Sequence, residues 1–399
     1  MTVKEASPFN KIRGVRLAAV ASGLKKDSLD LALIELDENC VCSAVFTQSS
    51  FAAAPILISR EHLKDESSRY ILVNSGNANA ATGNEGFENA IRCCESVAEM
   101  AGLTKEAVLP FSTGVIGEPL NYQKIQNAIP SLFEKLAADG WVDVARAIVT
   151  TDTTIKISSH EIEIGDKAVK ITGVAKGSGM IQPNMATMLS FLATDALIDK
   201  KVLDKIISEV CEKTFNRITV DGDTSTNDAC VLISTGLSGV DCNKSPKLDL
   251  VQEGVFQVMR DLAMAIVKDG EGATKFVEVR VKGGKTKLDS RNIAYSIANS
   301  PLVKTALFAS DPNWGRLVMA VGKADASIDA SKIDIQLNNL LLMKMGQIEK
   351  NYTEEKGFVE MKKSSIIITV NLNLGQHEEI VWTTDLSYDY VKINSEYRT

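Results

Sequence analysis

Ala186 and Thr187 stand side by side in Pro183-Asn-Met-Ala-Thr-Met-Leu-Ser190, and together they can do chemistry that neither can do alone. A threonine hydroxyl is a weak nucleophile unless a base stands beside it. Inside a chain its nearest nitrogen is an amide, which takes up no proton. Cutting the Ala186–Thr187 bond turns that nitrogen into an α-amine with an ordinary pKa of about 7.7–8, suited to general-base work near neutral pH. Small Ala186 leaves room for close approach to the scissile carbonyl, and Gly177-Ser-Gly179 upstream permits a shaped turn. The same residues also suit a buried apolar segment, Met185 to Phe191, in which Thr187 only bonds a backbone carbonyl. The dipeptide by itself leaves both readings open.

Other bases are scarce. The three histidines, His62, His160 and His377, lie far apart in polar segments and form no H-E-x-x-H. A zinc site or a Ser-His-Asp triad has little support, and no metal ligands are assigned. An acyl-transfer centre in this chain needs another proton acceptor, which a freed Thr187 amine supplies. The seven cysteines are an odd number without a C-x-x-C pair, and read as reduced thiols of a cytoplasmic protein. With 44 basic and 51 acidic residues the net charge is −7 and no long basic run occurs, which argues against a nucleic-acid partner. No apolar stretch approaches the roughly 18 residues that span a membrane. Val15 to Ala21, broken by Arg16, is too short for a signal peptide.

The Thr187 stretch is one of several blocks that follow in order along the chain. They are Asn74-Ser-Gly-Asn-Ala-Asn79, Phe111-Ser-Thr-Gly-Val-Ile-Gly-Glu118, Thr150-Thr-Asp-Thr153 and Lys176 to Phe191. Thr219 to Asp228, Gly270-Glu-Gly-Ala-Thr-Lys275, Asp311-Pro-Asn-Trp-Gly-Arg316 and Asn394 to Thr399 complete the set. Together they resemble the bacterial ornithine acetyltransferases, or glutamate N-acetyltransferases, over essentially the full length. The resemblance implies self-cleavage at Ala186–Thr187 into an α chain, 1–186, and a β chain, 187–399, which share one core. It makes Thr187 the nucleophile, and Thr113 and Gly114 the oxyanion hole. Thr150, Lys176, Thr187, Glu271, Asn394 and Thr399 become the substrate contacts, with Lys176 suited to a carboxylate and Glu271 to an ammonium group.

The implied reaction moves an acetyl group from N2-acetylornithine to glutamate in arginine biosynthesis, by a ping-pong route through acetyl-Thr187. It needs no cofactor, although some relatives also accept acetyl-CoA as a co-substrate, and it implies an (αβ)2 assembly. Residue by residue the plainer readings persist. Ser112-Thr113-Gly114 also suits a turn, and Lys176 a solvated lysine beside a glycine loop. Glu271 also suits a loop carboxylate, Thr150 a strand edge, and Asn394 and Thr399 a frayed terminus. Two other functions compete: a self-processing amidohydrolase or aminopeptidase, in which water accepts the acyl group, and a non-catalytic amino-acid-binding protein.

Mixed α/β structure must position these residues. Leu31 to Phe46 and Tyr70-Ile-Leu-Val73 read as buried strands, and His160 to Ile171 as a hairpin turning at Gly165-Asp166. Gly86 to Ala101 has helical spacing that stops at Gly102. Tyr122 to Ala138 is helical on either side of Pro130, which should start or kink a helix. Residues 196–215 and 249–268 read as amphipathic helices, and 277–281 and 366–371 as strands. The elements do not alternate as regular β-α units, which disfavours a simple doubly wound sheet. The family resemblance implies a layered α/β core of packed sheets flanked by helices, with smaller peripheral lobes.

Overall fold

The structure, a computed structural model, describes residues 9–65, 68–182 and 188–396. The chain forms two compact units: Met1–Gly177, Pro183–Asn216 and Thr224–Ile266 make the first, and Ser178–Gln182, Arg217–Asp223 and Val267–Thr399 the second.

The first unit contains β1 (Val15–Val20), β2 (Leu31–Leu36), β3 (Val41–Phe46), β4 (Tyr70–Asn77), β5 (Val108–Val115), β6 (Lys156–Ile164), β7 (Lys167–Lys176), β8 (Leu189–Thr194) and β9 (Ala229–Ser234). Its helices are α1 (Ala54–His62), α2 (Gly83–Ala101), α3 (Tyr122–Lys135), α4 (Trp141–Ile148), α5 (Lys200–Lys213) and α6 (Lys247–Lys268), the last ending at the unit boundary. The strands make a four-stranded sheet, β1-β2-β4-β5, and a five-stranded sheet, β3-β9-β8-β7-β6. Leu17, Ile34, Val73 and Phe111 of the first sheet meet Val174, Phe191 and Val231 of the second in one apolar cluster. Phe111 and Phe191 stand edge to face there, 5.2 Å apart.

Alternate residues of the four-stranded sheet, among them Leu33, Leu72 and Val108, face Cys94 and Val97 of α2 and Ile125 and Ile129 of α3. On the five-stranded sheet, α5 packs over β3 and β9. Gly173 of β7 and Gly254 of α6 let that helix approach Ile162 and Ile171. The result is a helix–sheet–sheet–helix sandwich, the layered α/β class expected. Strands covered on both faces must be apolar throughout, which is why β8 and β9 are buried from end to end.

The second unit carries β10 (Phe276–Gly284), β11 (Asp334–Leu337), β12 (Leu340–Lys344), β13 (Gln347–Ile348), β14 (Ser365–Asn371) and β15 (His377–Thr384) in the order β13-β12-β11-β14-β10-β15. Helices α7 (Lys287–Ala298), α8 (Pro301–Ala309) and α9 (Trp314–Gly322) cover the sheet through Ile293, Leu307 and Val321. Two more, α10 (Glu354–Met361) and α11 (Tyr388–Ser395), complete the unit.

Several expectations change in detail. Pro130 does not start a helix; it sits inside α3 on the exposed side, opposite buried Ile129 and Leu132. Water can take up the carbonyl that its missing N–H leaves. The helix expected from 196 starts at Lys200, because Leu197 runs extended and exchanges backbone bonds with Val240 and Cys242. His62, read as lying in a polar segment, is buried at the end of α1, where Nδ1 donates to the Val108 carbonyl at 2.7 Å. All seven cysteines are buried free thiols, and no helix among the described residues is long and apolar enough to cross a membrane.

Candidate active site

Thr113 and Gly114 stand near the end of β5, which runs parallel to β4. The register slips there between Gly76 and Asn77. Gly76 and Gly114 pair at φ +94 and +135, and a Cβ on Gly114 would lie 2.6 Å from the Asn77 nitrogen. Only glycine tolerates both the conformation and the contact. Buried amides hold this irregular strand end. Ser112 donates to Asn74 at 2.6 Å, Asn74 to the Asn77 carbonyl at 2.9 Å, and Asn227 to the carbonyls of Ala78 and Ser112 at 2.6 and 2.9 Å.

Lys176, the last residue of β7, donates from Nζ to Thr113 Oγ1 at 3.0 Å. A hydroxyl has one hydrogen and spare lone pairs. With a lone pair occupied by the ammonium, the Thr113 hydrogen is left to donate elsewhere. Thr113 is thereby oriented as a hydrogen-bond donor. The next residue, Gly177, donates its N–H to Asp152 Oδ1 at 2.8 Å. Lys156 donates to the same oxygen at 2.6 Å, and the Thr150 N–H reaches Oδ2 at 3.1 Å. Burial alone would push Asp152 up, but the Lys156 and Lys176 charges and the Gly177 N–H outweigh it and bring the carboxyl down to about 2.

In the second unit, Glu271 accepts from Asn394 Nδ2 at 2.8 Å, although 123 residues separate them. The Glu271 N–H donates to the Ser178 carbonyl at 2.8 Å, and a Cβ on Gly179 would run into the Glu271 carboxylate. Gly272, at φ +69, lets α11 come close; a Cβ there would sit 2.5 Å from Ser387 Oγ and the Tyr390 nitrogen. Ser387 caps α11 through the Tyr390 N–H and donates to the Gly272 carbonyl at 2.7 Å. Asp221 accepts the N–H groups of Met180 and Ile181 at 2.6 and 2.9 Å. Burial, followed by the charges of Asp221 and Glu271, pushes the Tyr390 hydroxyl well above its ordinary value.

The structure therefore brings Thr113 together with Lys176, ties Thr150 to the lysine's neighbour Gly177 through Asp152, and joins Glu271 to Asn394. Ala186, Thr187 and Thr399 lie outside the described residues. Sequence reasoning missed Asp152, although it stands inside the Thr150–Thr153 block, and Asn227 and Asp228 at the end of the Thr219 block. Asn and Asp in such blocks also read as turn residues; only Asn227 and Asp228 carry a further signal, the fully buried β9 that follows them. Among the described residues, no group of three or more His, Cys, Asp or Glu side chains gathers to hold a metal.

The ArgJ family is matched over residues 16–399. Arginine biosynthesis bifunctional protein ArgJ of Psychrobacter arcticus is 47% identical over 97% of each chain. The protein of that name from Methylococcus capsulatus is 48% identical over 97% of this chain and 96% of its own. Among solved structures, the crystal structure of arginine biosynthesis bifunctional protein ArgJ from Bacillus halodurans is 38% identical, with a TM-score of 0.51. The match covers 53% of this chain and all of that one.

Proposed function

The chain belongs to the ArgJ family, and on that premise we propose that it is a self-processing glutamate N-acetyltransferase of arginine biosynthesis. Thr187 Oγ attacks the Ala186 carbonyl, and the resulting N→O acyl shift leaves an ester and a free Thr187 amine. Water cleaves the ester and separates the α chain, 1–186, from the β chain, 187–399. The amine then takes the proton of Oγ as the oxygen attacks the acetyl carbonyl of N2-acetylornithine. That proton passes to the departing ornithine nitrogen, and acetyl remains on Thr187 as an ester. The glutamate amine attacks this ester, loses a proton to restore the hydroxyl, and leaves as N-acetylglutamate.

Each attack creates an oxyanion, for which the Thr113 hydroxyl and the Gly114 N–H are the assigned donors. The observation that carries this reading is the hydrogen bond from Lys176 to Thr113. It occupies a lone pair of the hydroxyl and leaves its hydrogen to donate, and preorganised donors are what stabilise such charge. Thr150, Lys176, Glu271, Asn394 and Thr399 are assigned to the substrates, with Glu271 suited to an ammonium group. Val174 and Phe191 stand on opposite sides of the scissile bond yet share one apolar cluster, which supports fragments that stay associated. Two such pairs make the proposed (αβ)2 assembly.

Intact-mass analysis tests the first step: wild-type protein yields two fragments divided at Ala186–Thr187, whereas Thr187→Ala stays whole and inactive. Incubation with acetylornithine and glutamate then yields acetylglutamate. Free acetate as the main product would make the protein a hydrolase instead. The same assay with acetyl-CoA replacing acetylornithine tells a one-donor enzyme from a two-donor one.

A further inference from the structure

A short bend in the second unit, Ser178-Gly179-Met180, forms a wall against the Glu271 carboxylate. The Glu271 N–H donates to the Ser178 carbonyl at 2.8 Å, and any Cβ on Gly179 would run into the carboxylate itself. Gly179 does not sit at positive φ, so the contact and not the conformation requires glycine there. Asn394 of α11 closes on the same carboxylate, at 2.8 Å from Oε2. Glu271 is buried, and the direction of its oxygens depends on how firmly that bend is held.

The bend does not hold itself. Met180 stands at φ +55, a left-handed conformation that residues with a side chain rarely adopt. One side chain takes up the two amides presented there: Asp221 Oδ2 accepts the Met180 N–H at 2.6 Å, and Oδ1 the Ile181 N–H at 2.9 Å. The Asp223 N–H reaches Oδ1 as well, at 3.2 Å, and orients the carboxyl group on its own loop. Backbone bonds complete the seam. The Val220 N–H donates to the Ile181 carbonyl at 2.7 Å, and the Gln182 N–H to the Asp223 carbonyl at 2.8 Å. Two adjacent N–H groups call for two acceptor oxygens, which a carboxylate offers and a side-chain amide does not.

We infer that Asp221 is a positioning residue for Glu271: by gripping Met180 and Ile181 it keeps the Gly179 wall in place, and so aims the Glu271 carboxylate at the cationic side chain of the acetyl donor. The inference rests on the proposed reaction, in which acetylornithine carries an ammonium group at its far end and glutamate a carboxylate. Asp221 also acts on α11. Burial, followed by the charges of Asp221 and Glu271, pushes up the hydroxyl of Tyr390. Tyr390 stands one turn before Asn394, whose amide donates to its carbonyl at 3.0 Å. The bend and the helix that meet the Glu271 carboxylate thus both lead back to Asp221, within one unit.

Cleaved enzyme carrying Asp221→Asn tests this. Asparagine keeps the size but turns an NH2 group towards one of the two N–H groups. In a ping-pong reaction kcat/KM for acetylornithine reports acetyl donation alone, and kcat/KM for glutamate reports acceptance alone. The first should fall by about tenfold, through KM, while the second stays within about twofold. A general loosening of the fold would lower both, so an equal fall, or an unchanged value for acetylornithine, would overturn the inference. Gly179→Ala displaces the carboxylate without touching Asp221 and should give the same donor-selective loss. It is read alone if Asp221→Asn does not accumulate as folded protein, and an unchanged value for acetylornithine again overturns the inference. Hydrogen exchange reads the grip without substrate: the Met180 and Ile181 amides should exchange about tenfold faster in Asp221→Asn, and equal rates would overturn it too. A wild type that transfers no acetyl from acetylornithine counts against the proposed function, and the exchange rates then still decide for or against Asp221.

Discussion

In the first unit Gly114, Thr113, Lys176 and Asp152 lie on or beside strands of a double-covered sandwich, fixed by ladders and buried partners. In the second, Glu271 sits on a loop and Asn394 on α11, a helix with no fully buried residue. The contrast fits the roles proposed for each. A developing oxyanion rewards donors that need not move, whereas two substrates with different far ends must enter and leave in turn. Loops and terminal helices open at little cost because they bury few apolar contacts.

Three substitutions can break or sharpen that contrast. The largest effect should come from Asp152→Asn, which leaves the buried Lys156 ammonium without its counter-charge. Loss of one partner of a buried pair costs about 3–5 kcal/mol, read as a fall in unfolding free energy. The acid side gives a second signature. Asp152 is held below its ordinary value, so its contribution, about 2 kcal/mol, is complete above about pH 4 and disappears as pH falls towards 2. The stability gap between wild type and Asp152→Asn should narrow over that window. A gap that is constant with pH would take Asp152 out of the ion pair.

Gly114→Ala comes next. The added Cβ collides with the Asn77 nitrogen in a conformation that alanine disfavours, displacing the proposed oxyanion donor. A kcat reduced by about 10²–10³ is expected, measured as single-turnover acetylation of Thr187, and near-normal kcat would place the oxyanion hole elsewhere. Asn394→Ala should be mildest. It removes one hydrogen bond to Glu271, worth about 1 kcal/mol, and KM should rise by about fivefold with kcat retained. Loss of kcat instead would make α11 part of the chemical machinery and erase the difference between the two units.

Much of the first unit was legible in the chain. Tyr70–Val73, Leu31–Phe46 and the Gly165-Asp166 hairpin become β4, β2 with β3, and β6 with β7, because buried strands must be apolar runs and tight turns need glycine. The Thr113-Gly114 pair was visible only through its block, since the same residues also suit a turn. What makes Gly114 obligatory is the close passage of Gly76, 38 positions earlier, and no local pattern reports that. The missed acids, Asp152 and Asp228, show the same limit: both look like turn formers until folding buries their carboxyls.

The covalent possibility belongs to the sequence. Ala186-Thr187 is a local arrangement, and the freed amine is reactive because it adjoins its own hydroxyl in the chain. That Asp152 is held low and that Glu271 meets Asn394 was decided only when distant strands aligned and α11 returned to the Glu271 loop. A carboxyl's proton affinity depends on burial and on neighbours brought from far along the chain, and folding alone sets both.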